Sequence, residues 1–390
     1  SNSPTLESTN LAFQRPINAH TPIPNSPYIC QMNAVQRFAI FFALTLLTHN
    51  AQAQGVVRLY NEALYDYMAN RYIQAEEKLR LVLKQQKIYP DAYFLFGQCR
   101  WQQKEYKQAI KWYDKALKQT PSNVEFVFHK ALSFQDLGNV TKATRYYLQA
   151  TKIDQNYAMA WKRLGGIFFK AGNYEQAIDY HTRAIDANPL DKEAFMLRGN
   201  AQAALGNLPE AVTDYNLVLQ HDAEDVDAWF NLASVEVRQS HAYEAVKAYS
   251  IVIDRRPDDR DARLNRGLIL LALGLKEDAL KDIDHAISVD TAFAASWWNK
   301  GFILLEMEHY GDALTSAQKA AELNPKDAEN WALIGKITFK LRRYQQAIAA
   351  YDRCLSLDKR SAEAYLNRGE AKRVLNDAKG ACKDWQQVLK

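Results

Sequence analysis

The residues that interrupt helices are scarce in this sequence. Only 15 Gly and 11 Pro occur among 390 residues, and five of the prolines fall within the first 27 positions. Neither residue suits a helix interior, whereas sheets and long loops use both in their turns. Together with a hydrophobic content of 48%, this scarcity favours one long helical body over an all-β or loop-rich fold.

Cysteine is also scarce, and the spacing of the four cysteines argues against two kinds of site. The four cysteines form no C-x-x-C pair and have no histidine at metal-ligand spacing, so a disulfide framework and a zinc site are both disfavoured. They are Cys30, Cys99, Cys354 and Cys382.

The sequence also lacks the short motifs of catalysis and of phosphate binding. It contains no HExxH, no GxxxxGK[ST], no GxSxG and no calcium loop. Lys+Arg 49 and Asp+Glu 45 leave a net charge of +4 without a basic stripe. We therefore expect no enzymatic activity, no cofactor, no metal and no nucleic-acid partner.

The first 55 residues differ in composition from the rest of the chain. Residues 1–31 are rich in Pro, Ser and Asn, which predicts a disordered upstream extension. Residues 32–53 have the order of a signal peptide, beginning at Met32 and ending at an Ala-x-Ala site after which cleavage would follow Ala53. The apolar run over 38–48 is too short for a membrane span. We expect a periplasmic or secreted protein with no stable membrane span after cleavage.

From Val56 to the C-terminus the chain repeats itself every 34 residues without insertion or deletion. Position 20 of each repeat is alanine, and position 8 is always Gly or Ala. This register predicts ten repeats over 56–390, starting at residues 56, 90, 124, 158, 192, 226, 260, 294, 328 and 362.

Within each repeat, apolar residues recur at intervals of three and four, which indicates two amphipathic helices joined by a turn. We expect the small residues at positions 8 and 20 to face each other where the two helices cross, since close approach requires small side chains. Bulky residues at positions 4 and 24 would fill the space between neighbouring hairpins.

The repeat pattern resembles that of the tetratricopeptide repeat family. One repeat carries the whole pattern except that His181 replaces an aromatic residue: Trp161, Leu164, Gly165, Phe168, Ala177, His181, Ala184 and Pro189. The resemblance implies an all-α fold, a right-handed superhelical solenoid of helix hairpins whose first helices line a concave face. It also implies a role in holding partners.

Three repeats combine an arginine at position 7 with an aspartate at position 23. An arginine beside the core needs a partner, since a half-buried guanidinium left alone is costly. We predict a structural salt bridge between the two helices in each: Arg198 with Asp214, Arg266 with Asp282, and Arg368 with Asp384.

The concave face that the resemblance implies would be lined by positions 2, 5, 6, 9 and 12. Position 6 carries an asparagine ladder that resembles the peptide-gripping ladder of tetratricopeptide superhelices, and positions 5, 9 and 12 carry aromatic residues suited to peptide anchors. Alternatively, the amides bond only to neighbouring repeats. The predicted site consists of Asn231, Asn265, Asn299, Asn367, Phe94, Trp101, Phe128, Phe169, Phe230, Trp298, Phe302 and Phe339.

The leading hypothesis is a non-catalytic scaffold that binds a protein or an extended peptide in this groove. The alternative is the substrate-recruiting arm of a larger enzyme, such as a glycosyltransferase, with its catalytic domain outside this chain. Self-association through the last repeat is a third hypothesis. The family's carboxylate clamp, which holds chaperone tails, is not supplied by any three successive repeats.

Overall fold

The computed structural model describes residues 53–389. The expected extension over 1–31 and the expected signal peptide over 32–53 lie outside these residues, apart from residue 53. Contacts divide the chain into two compact units, Ser1–Pro121 and Ser122–Lys390, called here the N-terminal and the C-terminal unit. The described residues hold helices and turns and contain no strand.

The N-terminal unit contains four described helices. They are α1 (53–68), α2 (Tyr72–Gln85), α3 (Pro90–Gln102) and α4 (Tyr106–Gln119). Its main apolar cluster gathers small, branched and aromatic residues, among them Ala63, Ala75, Leu79 and Phe96. Burial of such side chains stabilises the unit by roughly 1.5–3 kcal/mol for each large residue.

The C-terminal unit consists of sixteen helices in which each odd-numbered helix packs against the next. They are α5 (Val124–Asp136), α6 (Val140–Ile153), α7 (Ala158–Lys170), α8 (Tyr174–Ala187), α9 (Lys192–Leu205), α10 (Leu208–His221), α11 (Val226–Arg238), α12 (Ala242–Arg255), α13 (Arg260–Ala272), α14 (Lys276–Val289), α15 (Ala294–Glu306), α16 (Tyr310–Leu323), α17 (Ala328–Lys340), α18 (Tyr344–Leu357), α19 (Ala362–Val374) and α20 (Ala378–Val388).

A left-handed residue ends the first helix of each pair. Glycine takes this conformation at Gly138, Gly172, Gly206 and Gly274, where a positive φ carries no steric penalty. Other residues take it at Asn70, Lys104, Ser240, Glu308, Arg342 and Asn376. Because side chains larger than glycine lose about 1–2 kcal/mol in this region, the packing of the two helices must hold the turn in place.

The second helix of a pair presents its alanine to the core, and all ten position-20 alanines are buried. The glycine of position 8 was expected to face the alanine of position 20. In several pairs it faces the ring at position 24 instead. A Cβ on Gly335 would lie 2.5 Å from the ring of Tyr351 at position 24, whereas a Cβ on Gly301 would meet the backbone of α16. The small residue therefore makes room for a ring in some pairs and for a helix backbone in others.

Among residues 53–389, no helix is both long enough and apolar enough to cross a membrane.

Candidate functional site

The first helices of the C-terminal unit carry most of the predicted groove residues. Positions 2, 5, 6, 9 and 12 of these helices define what we call the first-helix face. Three cavities on this face contain predicted site residues: one between α9 and α11, one beside Trp298 and Asn299, and one among α15, α17 and α19. The last of them is lined by predicted residues of three neighbouring pairs.

The cavity between α9 and α11 is organised by a hydrogen-bonded group that we call the amide cluster, made of Asn200, Tyr215 and Asn231. Asn231 Nδ2 donates to Asn200 Oδ1 at 3.2 Å, and the Tyr215 hydroxyl donates to the same oxygen at 2.9 Å. Asn231 Nδ2 also lies 3.5 Å from Met196 Sδ. Both asparagines line a cavity of about 500 Å³ together with Phe230.

This bonding fixes which amide atoms remain available. Asn200 Oδ1 accepts two hydrogen bonds, so Asn200 keeps its N–H donors and Asn231 keeps its carbonyl oxygen without a hydrogen-bond partner among residues 53–389. Burial raises the pKa of the Tyr215 hydroxyl above its ordinary range, so that hydroxyl stays protonated as a donor. The result is one donor group beside one acceptor, which matches the two hydrogen-bonding groups of a peptide unit.

The rest of the predicted asparagine ladder is less uniform. Asn265 Nδ2 donates to the Tyr249 hydroxyl at 3.1 Å, a bond within the protein. Asn299 is 9% exposed and lines a separate cavity beside Trp298, so it offers little to a ligand. Asn367 lines the cavity among α15, α17 and α19. Asn231 and Asn265 thus bond to the preceding repeat, while Asn231 and Asn367 also line cavities, and peptide binding by the ladder stays a prediction. Asn200, at position 9, was not among the predicted residues.

Three aromatic residues of position 5 pack against a tyrosine of position 24. Phe94 lies against Tyr113, Phe128 against Tyr147, and Phe230 against Tyr249, with ring centroids 5.4–5.5 Å apart. Phe94 and Phe128 are buried, Phe128 with 1% exposed. Including these two in an accessible groove was wrong, because Phe94 packs against Tyr113 and Phe128 is covered by Tyr147 and Tyr157.

The aromatic residues of position 12 remain half-buried and rest on a tyrosine of the second helix. Trp101 contacts Tyr106, Phe169 contacts Tyr174, and Phe339 contacts Tyr344, at 6.5, 5.5 and 5.3 Å between centroids. Such tilted and edge contacts hold a ring in one orientation while leaving part of it exposed.

Phe94 and Trp101 belong to the N-terminal unit and the other predicted site residues to the C-terminal unit.

The cavity among α15, α17 and α19 has an aromatic floor. Phe302 stacks on Trp298 at 5.4 Å between centroids. Phe302, Phe339 and Asn367 line a space of about 440 Å³. Here the structure brings three predicted site residues together from three successive helix pairs.

The structure also brings together the three arginine and aspartate pairs. Arg266 donates from Nε and Nη2 to the two carboxylate oxygens of Asp282, both at 2.7 Å. Arg198 makes the same two-pronged contact with Asp214, at 2.9 and 2.7 Å, and Arg368 does so with Asp384. All three aspartates are buried, where this geometry offsets much of the desolvation cost.

Each of these arginines uses its third nitrogen to reach the preceding helix pair. Arg198 Nη1 donates to Thr182 at 3.3 Å, Arg266 Nη1 to Ser250 at 2.9 Å, and Arg368 Nη1 to Asp352 at 2.6 Å. The arginines therefore join neighbouring pairs as well as the two helices within a pair. The hydrogen bonds that Arg266 donates to Asp282 raise the pKa of Arg266, and Arg266 stays charged.

The remaining reactive side chains form no recognisable site. Within residues 53–389 no group of His, Cys, Asp and Glu could hold a metal ion. Cys99 and Cys354 are buried, and Cys382 is exposed. His181 is 1% exposed, and burial lowers its pKa to about 4, with a smaller contribution from Arg198.

Comparison with known proteins bears on the family and the fold. The sequence pattern of the family described as "Tetratricopeptide repeat" matches residues 60–124, 128–191, 168–226, 230–294, 300–358 and 333–390. Small glutamine-rich tetratricopeptide repeat-containing protein 2 of Mycosarcoma maydis is 30% identical over 86 residues, covering 22% of this chain and 24% of that protein.

Mitochondrial import receptor subunit TOM70 of Rattus norvegicus is 30% identical over 140 residues, covering 35% of this chain and 22% of that protein. The chain thus spans less than a quarter of the length of both relatives. A solved tetratricopeptide repeat protein from Parabacteroides merdae ATCC 43184 is 15% identical, with a TM-score of 0.49 over 68% of this chain and 99% of that chain.

Proposed function

Because the chain belongs to the tetratricopeptide repeat family, we propose that it is a non-catalytic scaffold that holds an extended segment of another polypeptide on its first-helix face. The observation that carries this proposal is the amide cluster. It leaves a donor on Asn200 and an acceptor on Asn231 at the same cavity, and Phe230 lies beside them.

The chemistry of the cluster favours recognition of backbone over sequence. A peptide unit can accept from Asn200 Nδ2 and donate to Asn231 Oδ1, while Phe230 contacts an adjacent side chain. Tyr215 and Met196 hold the two amides before any ligand arrives. Such preorganisation lowers the entropy cost of binding.

Fluorescence anisotropy with a labelled, uncharged peptide tests this proposal. The probe is fluorescein-Gly-Ser-Ala-Phe-Ala-Ser-Gly-amide, titrated with the full chain. Replacing Asn200 and Asn231 together with alanine removes two hydrogen bonds of about 1 kcal/mol each, so we expect the Kd to rise at least about tenfold. The matched control is Gln149→Ala, which removes an exposed amide from the second helix α6. Equal Kd values for all three proteins would refute the proposal.

We also propose that the scaffold acts in the periplasm or outside the cell. Support comes from the sequence alone, in the order of a basic start, an apolar run over 38–48 and the Ala-x-Ala site ending at Ala53. N-terminal sequencing of the mature protein from fractionated cells is the test. An N-terminus at Gln54 in the exported fraction would support export, and a cytoplasmic protein that retains residues 32–53 would refute it.

A further inference from the structure

We propose that the cavity among α15, α17 and α19 selects, within a bound polypeptide, a bulky apolar side chain flanked by lysine or arginine. This inference rests on the proposed function and adds the chemistry of the segment that binds. The amide cluster reads backbone, whereas this second cavity on the same unit would read side chains.

The floor of the cavity is apolar and held in place. Phe302 and Phe339 are half-buried, and each rests on a second ring, Trp298 for Phe302 and Tyr344 for Phe339. Leu305 lines the same cavity. A volume of about 440 Å³ falls within the usual range of ligand pockets and suits a large side chain. Because the rings are already ordered, their apolar surface is available without rearrangement.

The rim of the cavity has an excess of carboxylates. Four glutamates and two lysines line it, although the whole chain has a net charge of +4. The acidic character is thus local to the cavity. The charged lining residues are Glu306, Glu308, Glu363, Glu370, Lys336 and Lys340.

Two of these carboxylates already have partners in the protein, and two do not. Lys336 Nζ pairs with Glu363, and Arg373 donates to both carboxylate oxygens of Glu370. Glu306 and Glu308 are exposed, and their carboxylates make no ion pair within the described part of the chain.

Charge complementarity decides the partner. Among the lining residues, these two unpaired carboxylates are opposed by the ammonium of Lys340, and outside the lining Lys276 Nζ donates to the backbone oxygen of Glu306. Carboxylates beside an apolar floor attract a cationic group and disfavour an anionic one. A side chain of lysine or arginine next to the apolar anchor would meet Glu306 or Glu308. The occupant that fits both features is an extended polypeptide segment with lysine or arginine on one or both sides of a large apolar residue.

Three labelled peptides that differ only beside a central phenylalanine test this inference on the full chain. They are fluorescein-Gly-Ser-Lys-Phe-Lys-Ser-Gly-amide and the same peptide with glutamate or alanine in place of both lysines. We expect the lysine peptide to bind at least about tenfold more tightly than the glutamate peptide at about 50 mM salt, with the ratio shrinking at about 500 mM salt because ions screen the rim.

Variants of the rim show which residues cause the preference for lysine. Glu306→Gln combined with Glu308→Gln should remove most of the lysine preference and leave the alanine peptide unchanged. The matched control, Glu210→Gln with Glu244→Gln, neutralises two exposed glutamates on the second helices α10 and α12 and should keep the preference. Phe339→Ala should weaken binding of the lysine peptide, whose phenylalanine would occupy this cavity.

The outcomes separate this inference from the proposed function. Equal Kd values for the lysine and glutamate peptides, or a lysine preference that survives the Glu306 and Glu308 changes, would overturn the inference. If the alanine peptide still binds and its binding depends on Asn200 and Asn231, the proposed function stands even though the inference about the second cavity fails. If none of the three peptides binds at concentrations up to about 1 mM, both proposals fail.

Discussion

Polar side chains inside the helix pairs of the C-terminal unit are bonded far more completely than those on its first-helix face. Inside, Asp282 accepts three hydrogen bonds, two from Arg266 and one from Arg263. On the face, Asn200 and Asn231 bond to each other through one atom each and leave their remaining amide atoms towards a cavity. The protein's own contacts use the polar groups inside the pairs, whereas the two asparagines on the face keep amide atoms without a partner among residues 53–389.

The difference gives a criterion for separating structural polar residues from binding residues. A polar group whose bonding capacity is filled by the protein contributes to stability and has nothing left for a ligand. A group held in place but only partly bonded can exchange water for a partner at little structural cost. Changes inside the pairs should therefore alter stability, and changes on the face should alter binding.

The largest expected effect is the loss of one aspartate inside a pair. Asp282→Ala leaves the Arg266 guanidinium half-buried without its partner and should lower the free energy of unfolding by about 3–5 kcal/mol. Asp282→Ala also removes the weaker contact from Arg263 at 3.3 Å. Adding Arg266→Leu removes the guanidinium that loses two hydrogen bonds, so the double variant should be more stable than Asp282→Ala. Urea unfolding curves give both values.

A matched control for that comparison lies on the same helix. Asp278 forms an exposed pair with Lys281, and Asp278→Ala should change the free energy of unfolding by less than about 1 kcal/mol. A double variant less stable than Asp282→Ala would contradict the account of the buried pairs.

His181 is one of the buried polar residues that depart from the rule, as Ser296 also does, since neither ring nitrogen of His181 has a hydrogen-bond partner among the described residues. Burial lowers its pKa from 6.5 to about 4. The folded state therefore favours the neutral ring, and this contribution is present in full above pH 6.5 and lost as the pH falls to about 4. The loss amounts to roughly 3 kcal/mol.

Tyrosine at residue 181 should remove this acid sensitivity. Three other pairs place a tyrosine ring against the glycine of position 8, as Tyr113 does at Gly97, so the backbone around Gly165 can accept the same ring. Urea unfolding at about pH 7.5 and about pH 4.5 measures the change. If His181→Tyr loses as much stability on acidification as the wild type, His181 is not the cause.

Two glycines test how tightly the helices of a pair are packed, and the expected changes in stability are smaller. A Cβ on Gly335 would lie 2.5 Å from the buried Tyr351 ring, whereas a Cβ on Gly311 would meet nothing within 4 Å. Gly335→Ala should cost about 1–3 kcal/mol by overpacking. Gly311→Ala should gain up to about 1 kcal/mol, since alanine favours the helix. Thermal unfolding of both variants checks the order, and equal stability would show that the ring moves aside.

The smallest expected effect on stability is on the first-helix face. Asn231→Ala removes one hydrogen bond to Asn200, which should lower the free energy of unfolding by about 0.5–1 kcal/mol. The same variant should weaken peptide binding, because the acceptor on residue 231 is lost. A large loss of stability with unchanged binding would reverse the assignment of this residue from binding to structure.

Sequence reasoning recovered the ionic contacts because both partners recur together. Arginine at position 7 appears only in repeats with aspartate at position 23, so the charge pairing is visible without coordinates. The link to the preceding pair was not visible, because its acceptor is a hydroxyl on Thr182 and Ser250 but a carboxylate on Asp352. A contact made by different chemical groups leaves no repeated residue type to detect.

The first-helix face was predicted less well for a related physical reason. Periodicity gives the side of a helix on which a residue lies, but it does not show which neighbour covers that residue. Phe128 was placed on the correct helix face and is nevertheless buried by Tyr147 and Tyr157. Asn200 was missed because position 9 varies among the repeats, and its role depends on Asn231 of the next helix pair.

Photo-crosslinking tests the central claim, that an extended polypeptide lies on the first-helix face, most directly. The uncharged peptide used for anisotropy would carry benzoylphenylalanine in place of phenylalanine, and the crosslinked residues would be identified by mass spectrometry. The account predicts crosslinks within α9 and α11, around Asn200, Phe230 and Asn231, and their loss when both asparagines are changed to alanine. Crosslinks confined to the second helices α10 and α12 would contradict it.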